Sequence, residues 1–338
     1  MSLKNSIIFA LTSLSIGCIS FGASGTESPT SQKWQSEHYR DHELVGKIWS
    51  SREKTFVSRE QLSSSVKAAR YVLLGETHTN KDHHLLQAQL LEIVAKAAQD
   101  RPSLSPRLVV EMIPQRFGKA VSEFQQAQPH NTDKLGDVLE WEKRGWGSWK
   151  NYQPIFDTAL RYKLSIIPGN LNRTDTRKIG RKGIKAIDQG LRDKLSLDVP
   201  YTKAQSDLLR DMLFESHCKM VPKEALSPMQ NVQQARDGIM AYGLLGAAKG
   251  STGVLIAGSG HIRQDWAVPR ILKAQEPDNT IVTVSFVEVA PDQGKPQDYE
   301  PVSADGSPVF DYLYFTPKSE IKDHCAELKK RFKKLKTK

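Results

Sequence analysis

Four short apolar runs, far apart in the chain, each end on a polar residue able to do chemistry. They read Val72-Leu73-Leu74-Gly75-Glu76-Thr77-His78, Leu108-Val109-Val110-Glu111-Met112, Ile166-Ile167-Pro168-Gly169-Asn170 and Val254-Leu255-Ile256-Ala257-Gly258-Ser259-Gly260-His261. Uninterrupted apolar runs closed by Gly or Pro are the mark of strands buried on both faces, hence of a parallel sheet. Between them the apolar positions change period. Leu85, Leu86, Leu90, Ile93 and Val94 fall on one helical face and predict a helix from about Asp82 to Gln99. Residues 178–246 carry no strand signal and are broken near Pro200, Pro222 and Pro228, as expected of several helices inserted between the third run and the last. The expected fold class is α/β: a mostly parallel central sheet flanked by helices, with the helical insertion capping the carboxyl ends of the strands. Open sheets of this kind bind ligands at those ends, so Glu76, His78, Glu111, Asn170 and His261 are expected to share one crevice.

The flanks change this picture only at the edges. Lys4, the apolar run Ile7 to Ile16 and the small residues after it have the layout of a secretory signal over residues 1–23. Ser15-Ile16-Gly17-Cys18 is similar to a bacterial lipobox, which would make Cys18 a lipid carrier; cleavage near Gly22-Ala23-Ser24 is the alternative. Either way the protein is expected to be exported, to a bacterial envelope or beyond. Residues 24–43 read as a flexible tether, 44–290 as the folded domain and 291–338 as an extension, in which Phe310 to Phe315 has strand character. The formal net charge is +10, but Lys329, Lys330, Arg331, Lys333, Lys334, Lys336 and Lys338 supply seven of the ten excess charges. Basicity is therefore a property of the tail. It suits a solvated end or contact with anionic headgroups, and no nucleic-acid role is expected without a binding module. Three cysteines are too few for a disulfide scaffold, and nothing in the sequence brings Cys218 and Cys325 together, so two separate buried thiols are expected.

Within the crevice, a carboxylate two residues from a histidine, as Glu76 is from His78, can fix its tautomer for general-base or ligand work. Glu111 closes an almost wholly apolar strand and must find a donor, for which His78, Arg173 and His261 are candidates. A buried ion-pair network of Glu76, Glu111 and Arg173 that merely closes the sheet is the structural alternative. Gly258-Ser259-Gly260-His261 falls short of a dinucleotide fingerprint and lacks a P-loop lysine. His261 with Arg263 and Asp265 fits an acidic-histidine site, or an edge that holds carboxylates of a ligand. His217 either faces the crevice or caps a helix, and Met240 reads as core. The aromatic segment Trp141 to Tyr152 suits a packed seam or a flat apolar ligand. No Cys-X-X-Cys, His-Glu-X-X-His or Gly-X-Ser-X-Gly occurs, which removes the usual support for zinc-ribbon, zincin and α/β-hydrolase chemistry.

The motifs Leu-Leu-Gly-Glu-Thr-His ending at His78, Val-Val-Glu-Met ending at Met112, Gly-Asn-Leu-Asn-Arg at 169–173 and Gly-Ser-Gly-His-Ile-Arg-Gln-Asp-Trp-Ala-Val-Pro at 258–269 together resemble the ChaN-like haem-binding lipoproteins. These belong to the wider Tiki and erythromycin-esterase superfamily. Trp146-Gly147-Ser148-Trp149, Tyr152-Gln153-Pro154, Glu215-Ser216-His217-Cys218 and Gln233 to Ala241 fit the same family, while Ala267 stands where its motif carries Gly. The resemblance implies haem in an apolar pocket at a homodimer interface, two haems face to face, and a tyrosine on the iron. Tyr152 and Tyr242 are the candidate ligands, with Tyr162 and Tyr201 behind them. Glu76, His78, Glu111, Arg173, His217, His261 and Arg263 are candidates for the rest of the cofactor site. An envelope haem transporter or receptor would be the partner. A hydrolase is the rival reading, in which Glu76, His78, Glu111 and His261 activate water directly or through a divalent metal.

Overall fold

The computed structural model describes residues 32–330 apart from 128, 130, 304 and 324. The signal, the lipobox at Cys18, the first part of the tether and most of the basic tail lie outside the described residues. In chain order the strands are β1 (Ile48–Ser50), β2 (Thr55–Val57), β3 (Tyr71–Glu76), β4 (Arg107–Pro114), β5 (Ser165–Asn170), β6 (Gly253–Gly258), β7 (Ile281–Glu288) and β8 (Tyr312–Thr316). The helices are α1 (Arg59–Ala68), α2 (Lys81–Ala97), α3 (Gly118–Gln126), α4 (Asp133–Val138), α5 (Trp149–Arg161), α6 (Arg173–Lys182), α7 (Gln189–Lys194), α8 (Lys203–Ser216), α9 (Ser227–Leu245) and α10 (Val268–Gln275).

These strands form one sheet in the order β2-β1-β8-β7-β3-β6-β4-β5. The run from β8 to β5 is parallel, and β1 joins antiparallel to β8 and to β2. The expected α/β class is therefore found. Along each central strand the buried residues alternate between two cores. Val72, Leu74, Leu108, Val110, Val254 and Ile256 pack with α1, α2 and α5 on one face, while Tyr71, Leu73, Val109, Leu255 and Ala257 pack with α9 and α10 on the other. A strand covered on both sides has no face left for polar residues, which is why these segments read as unbroken apolar runs.

The strand sensed at Phe310 to Phe315 is β8, and it is an interior strand: it lies between β7 and β1, so the extension completes the sheet. The chain is also docked earlier than the sequence suggests. Within the expected tether, the Gln35 and Ser36 amides both donate to the Asp82 carboxylate at 2.8 Å, and His38 bridges to Lys318.

The insertion between β5 and β6 is helical, as expected. Its longest member, α9, lies along the sheet rather than over its end: Gly243 rests against Val109 and Ile167, and Gly246 reaches Arg107, the first residue of β4. Expectation and structure part at the cysteines. Cys218 and Cys325 form a disulfide with Cα atoms 5.4 Å apart, joining the turn after α8 to the C-terminal segment. Their separation of 107 residues gives no local signal of this proximity.

Candidate functional site

Register brings the strand tips together. Glu76 at the end of β3 pairs with Gly258 at the end of β6. Pairing of β4 with β6 stops at Val110↔Ile256, and the pairing of β4 with β5 shifts after Val110. Glu111 sits at that break. The Gly258 N–H, freed from the ladder, donates to Glu111 Oε2 at 2.8 Å.

Around these carboxylates runs a chain of buried ionisable groups. Tyr152 Oη on α5 donates to Glu76 Oε1 at 2.6 Å, and His78 Nδ1 donates to the same oxygen at 2.8 Å. His84 Nε2, in the first turn of α2, stands 3.3 Å from Glu76 Oε2. His78 Nε2 faces Glu111 Oε2 at 4.0 Å, and His261 Nε2 lies 3.3 Å from Glu111 Oε1. The other nitrogen of His261 contacts Asp237 Oδ1 on α9 at 2.6 Å. Of these six charged residues only His78 reaches solvent, its side chain 39% exposed. Trp146 covers its edge, ring centroids 4.9 Å apart. Gly258 makes room for it: a Cβ there would meet His78 Nε2 at 3.0 Å.

Electrostatics follow from this packing. Burial alone would raise the Glu76 pKa, yet the charges of His84 and His78 hold it well below the usual carboxylate range. Glu111 is likewise lowered, to about 2, by His261 and His78 against the same opposing burial. Burial disfavours a charged His261, but Glu111 and Asp237 on its two sides raise it to about 10. Asp237 is raised by burial. The His78 pKa is also raised, since its bond to Glu76 and the Glu111 charge outweigh burial. His83 differs: its Nδ1 accepts the Thr77 N–H at 2.9 Å and its Nε2 donates to Thr316 Oγ1 at 2.8 Å, and burial lowers it to about 3. It is a neutral structural histidine.

The crevice thus gathers Glu76, His78, Glu111, His261 and Tyr152, and leaves other candidates elsewhere. Arg173 is exposed at the start of α6, so the imagined network with Glu76 and Glu111 has histidines where the arginine was expected. Arg263 is turned to Asp265 in a two-pronged pair at 3.1 and 2.8 Å and stacks on Trp266. Asn170 accepts the Leu171 N–H. His217 caps α8, its Nδ1 bonded to the Leu213 carbonyl at 2.8 Å. Met240 is core. Ala267 has φ −92°, so no glycine is needed there.

The tyrosines fare no better as iron ligands. Tyr152 is fully buried, with its phenol raised by burial and by Glu76. Tyr162 donates to Glu92 at 2.9 Å, and the Tyr201 hydroxyl is buried without a hydrogen-bond partner. Tyr242 is 45% exposed but lies one turn from Gly246, at the amino ends of the strands. The aromatic segment is mainly a packed seam of Trp141, Trp149, Tyr152 and Phe156, with Trp146 at the crevice. Among the described residues no three His, Cys, Asp or Glu side chains are arranged to hold a metal ion.

Sequence reasoning missed His84, and it gave Asp237 no role. Both sit in helices, where a polar residue looks ordinary unless the strand facing it is known. The one available signal for His84 is a polar pair, His83-His84, in the first turn of a helix whose later turns are apolar on the same side.

A family model described as haem-binding uptake, Tiki superfamily, ChaN matches residues 62–272, which include every residue of this crevice. The chain belongs to the ChaN haem-binding uptake family. A solved member, ChaN of Campylobacter jejuni with cofacially bound heme, is 21% identical over 79% of this chain and 95% of its own, with a TM-score of 0.62. At that identity the likeness is one of fold. The type III effector HopBA1 (14% identity, 76% of this chain and 92% of its own) and a mutant of the erythromycin esterase EreC in its open conformation (13%, 79% and 95%) both reach a TM-score of 0.42. No curated protein matches the chain significantly.

Proposed function

We propose that this chain is an exported haem-binding protein that works in haem or iron acquisition at the cell envelope, dimerising around stacked haems. The observation that carries it is the family match across the crevice and the helical insertion together. The Cys218–Cys325 disulfide supports export, because such bonds persist in oxidising compartments. So does the secretory pattern of residues 1–23. The ChaN neighbour's cofacial heme supports a dimer. Ferric haemin titrated into the purified mature domain, followed by absorbance and gel filtration, should saturate near one haem per chain and shift elution toward a dimer. Weak, unsaturable binding with unchanged elution would overturn the reading.

One observation favours a second reading, hydrolysis. His78 is the single exposed member of the cluster, and Glu76 fixes its Nδ1, the arrangement of a general base. Under that reading Glu76→Gln lowers turnover of esters or peptides by about 10²–10⁴-fold with the fold intact. A haem carrier has no such activity to lose.

A further inference from the structure

The net charge of the chain hides a local asymmetry. The basic tail accounts for most of the excess, yet α6 and the turn after it carry six cations, Arg173, Arg177, Lys178, Arg181, Lys182 and Lys185, against one acid, Asp175. All six cations are exposed, and among the described residues none of them has an ion pair or a side-chain hydrogen bond. At 3.6 residues per turn, Arg173, Arg177 and Arg181 form one row with Lys178 and Lys182 in the row beside it, so cations occupy about half of the helix circumference. The other side is spent on the core: Ile179 packs with Ala235 and Ile239 of α9, and Gly180 lies against Val232.

Other helices of this protein are built differently. Lys96 pairs with Glu92 in α2, Lys119 with Glu123 in α3 and Lys203 with Asp207 in α8, each pair four residues apart. In α6 the same spacing joins like charges three times, Arg173 to Arg177, Arg177 to Arg181 and Lys178 to Lys182, which weakens a helix. Arg173 also stands at the amino end, where the helix dipole disfavours a cation. A local arrangement that destabilises the isolated chain marks a surface shaped by something outside it. We propose that the cationic face of α6 docks on an anionic phospholipid bilayer.

The array runs along a helix of ten residues, about 15 Å, farther than one small anion can span. A layer of negative headgroups meets all of it. The basic tail is fastened to the same helical insertion. Gln230 Nε2 on α9 donates to the Ser206 carbonyl of α8 at 2.9 Å, and the Cys218–Cys325 disulfide after α8 holds the chain four residues before Lys329. Residues 1–23, with their secretory pattern and lipobox, would bring the chain to a membrane. Since α6 keeps no free apolar side, the contact is electrostatic and peripheral. It starts three residues after Asn170, at the tip of β5, so docking holds the carboxyl edge of the sheet near the headgroups. The proposal rests on the export part of the reading above and not on haem.

The test is co-sedimentation of the mature, unlipidated chain, tail included, with vesicles of phosphatidylcholine alone or mixed with phosphatidylglycerol. Arg177→Gln/Lys178→Gln/Arg181→Gln is compared with Lys67→Gln/Lys163→Gln/Lys249→Gln, which removes the same charge from exposed positions leading into the amino ends of β3, β5 and β6. Wild type should bind only the anionic vesicles and be released by salt at about 0.5 M. At about fivefold per cation, the α6 variant should bind on the order of 10²-fold more weakly, while the amino-edge variant stays close to wild type. The α6 variant should melt at or above wild type, because it loses only like-charged neighbours. Melting well below wild type would show that the cations serve the fold and would overturn the proposal. So would absence of binding by wild type, or an equal loss in both variants, which would assign the binding to net charge or to the tail. Tighter binding to an oligonucleotide than to the vesicles, lost in the α6 variant, would give the helix to a nucleic acid instead. Haem takes no part in this measurement, so its failure leaves the haemin titration untouched.

Discussion

His261 Nε2 lies 3.3 Å from Glu111 Oε1, while Asp237 takes the other side of the same ring at 2.6 Å. A buried imidazolium between two buried carboxylates couples β4, α9 and the turn after β6. Removing one partner of such a set leaves uncompensated buried charge.

His261→Ala should therefore cost about 3–5 kcal/mol of unfolding free energy, measured by denaturant titration near neutral pH. The pH dependence has a definite sign. With a folded pKa of about 10 against an ordinary 6.5, His261 contributes stability that is complete below pH 6.5 and is lost as pH rises toward 10. Glu111, at about 2 against 4.5, contributes stability present above pH 4.5 and lost toward pH 2. Wild type should weaken between neutral and alkaline pH, and His261→Ala should flatten that limb. An alkaline limb of unchanged slope in the variant would show that His261 is not the titrating group.

Gly258→Ala tests how the His78 ring is held. The new Cβ would stand 3.0 Å from Nε2 and 3.1 Å from Cε1, so the ring must give by a few tenths of an ångström against its bond to Glu76. A stability loss of about 1–3 kcal/mol is expected for this overpacking. The His78 pKa, raised by Glu76 and Glu111 against the pull of burial, should fall toward its ordinary value. A proton NMR titration of the ring would decide, and a His78 that titrates as in wild type would refute the clamp.

The double replacement Cys218→Ser with Cys325→Ser should lower stability by about 2–4 kcal/mol, since the bond closes a long loop. Thiol reductant should destabilise wild type by a similar amount and leave the double variant unmoved. Equal melting temperatures with and without reductant would mean that the bond contributes nothing to stability.

What the sequence determined by itself was the sheet and the rim of its crevice. The runs ending at Glu76, Glu111, Asn170 and His261 are legible because burial on both faces is a property of each strand alone, and the carboxyl ends of parallel strands lie on one edge. Quoted in order, the same motifs also carried the family. Tertiary structure decided the partners. Glu111 takes Gly258 and His261 rather than Arg173, because the ladder between β4 and β6 breaks at that point. Asp237 reaches His261 only because α9 crosses the sheet from its carboxyl to its amino ends, and the same crossing carries Tyr242 away from the crevice. Cys218 meets Cys325 because the last segment returns to the turn after α8. Hydrophobic pattern is set by which neighbours cover a residue and repeats locally with the element. An ion pair or a disulfide depends on where two distant elements cross, and no local period records that.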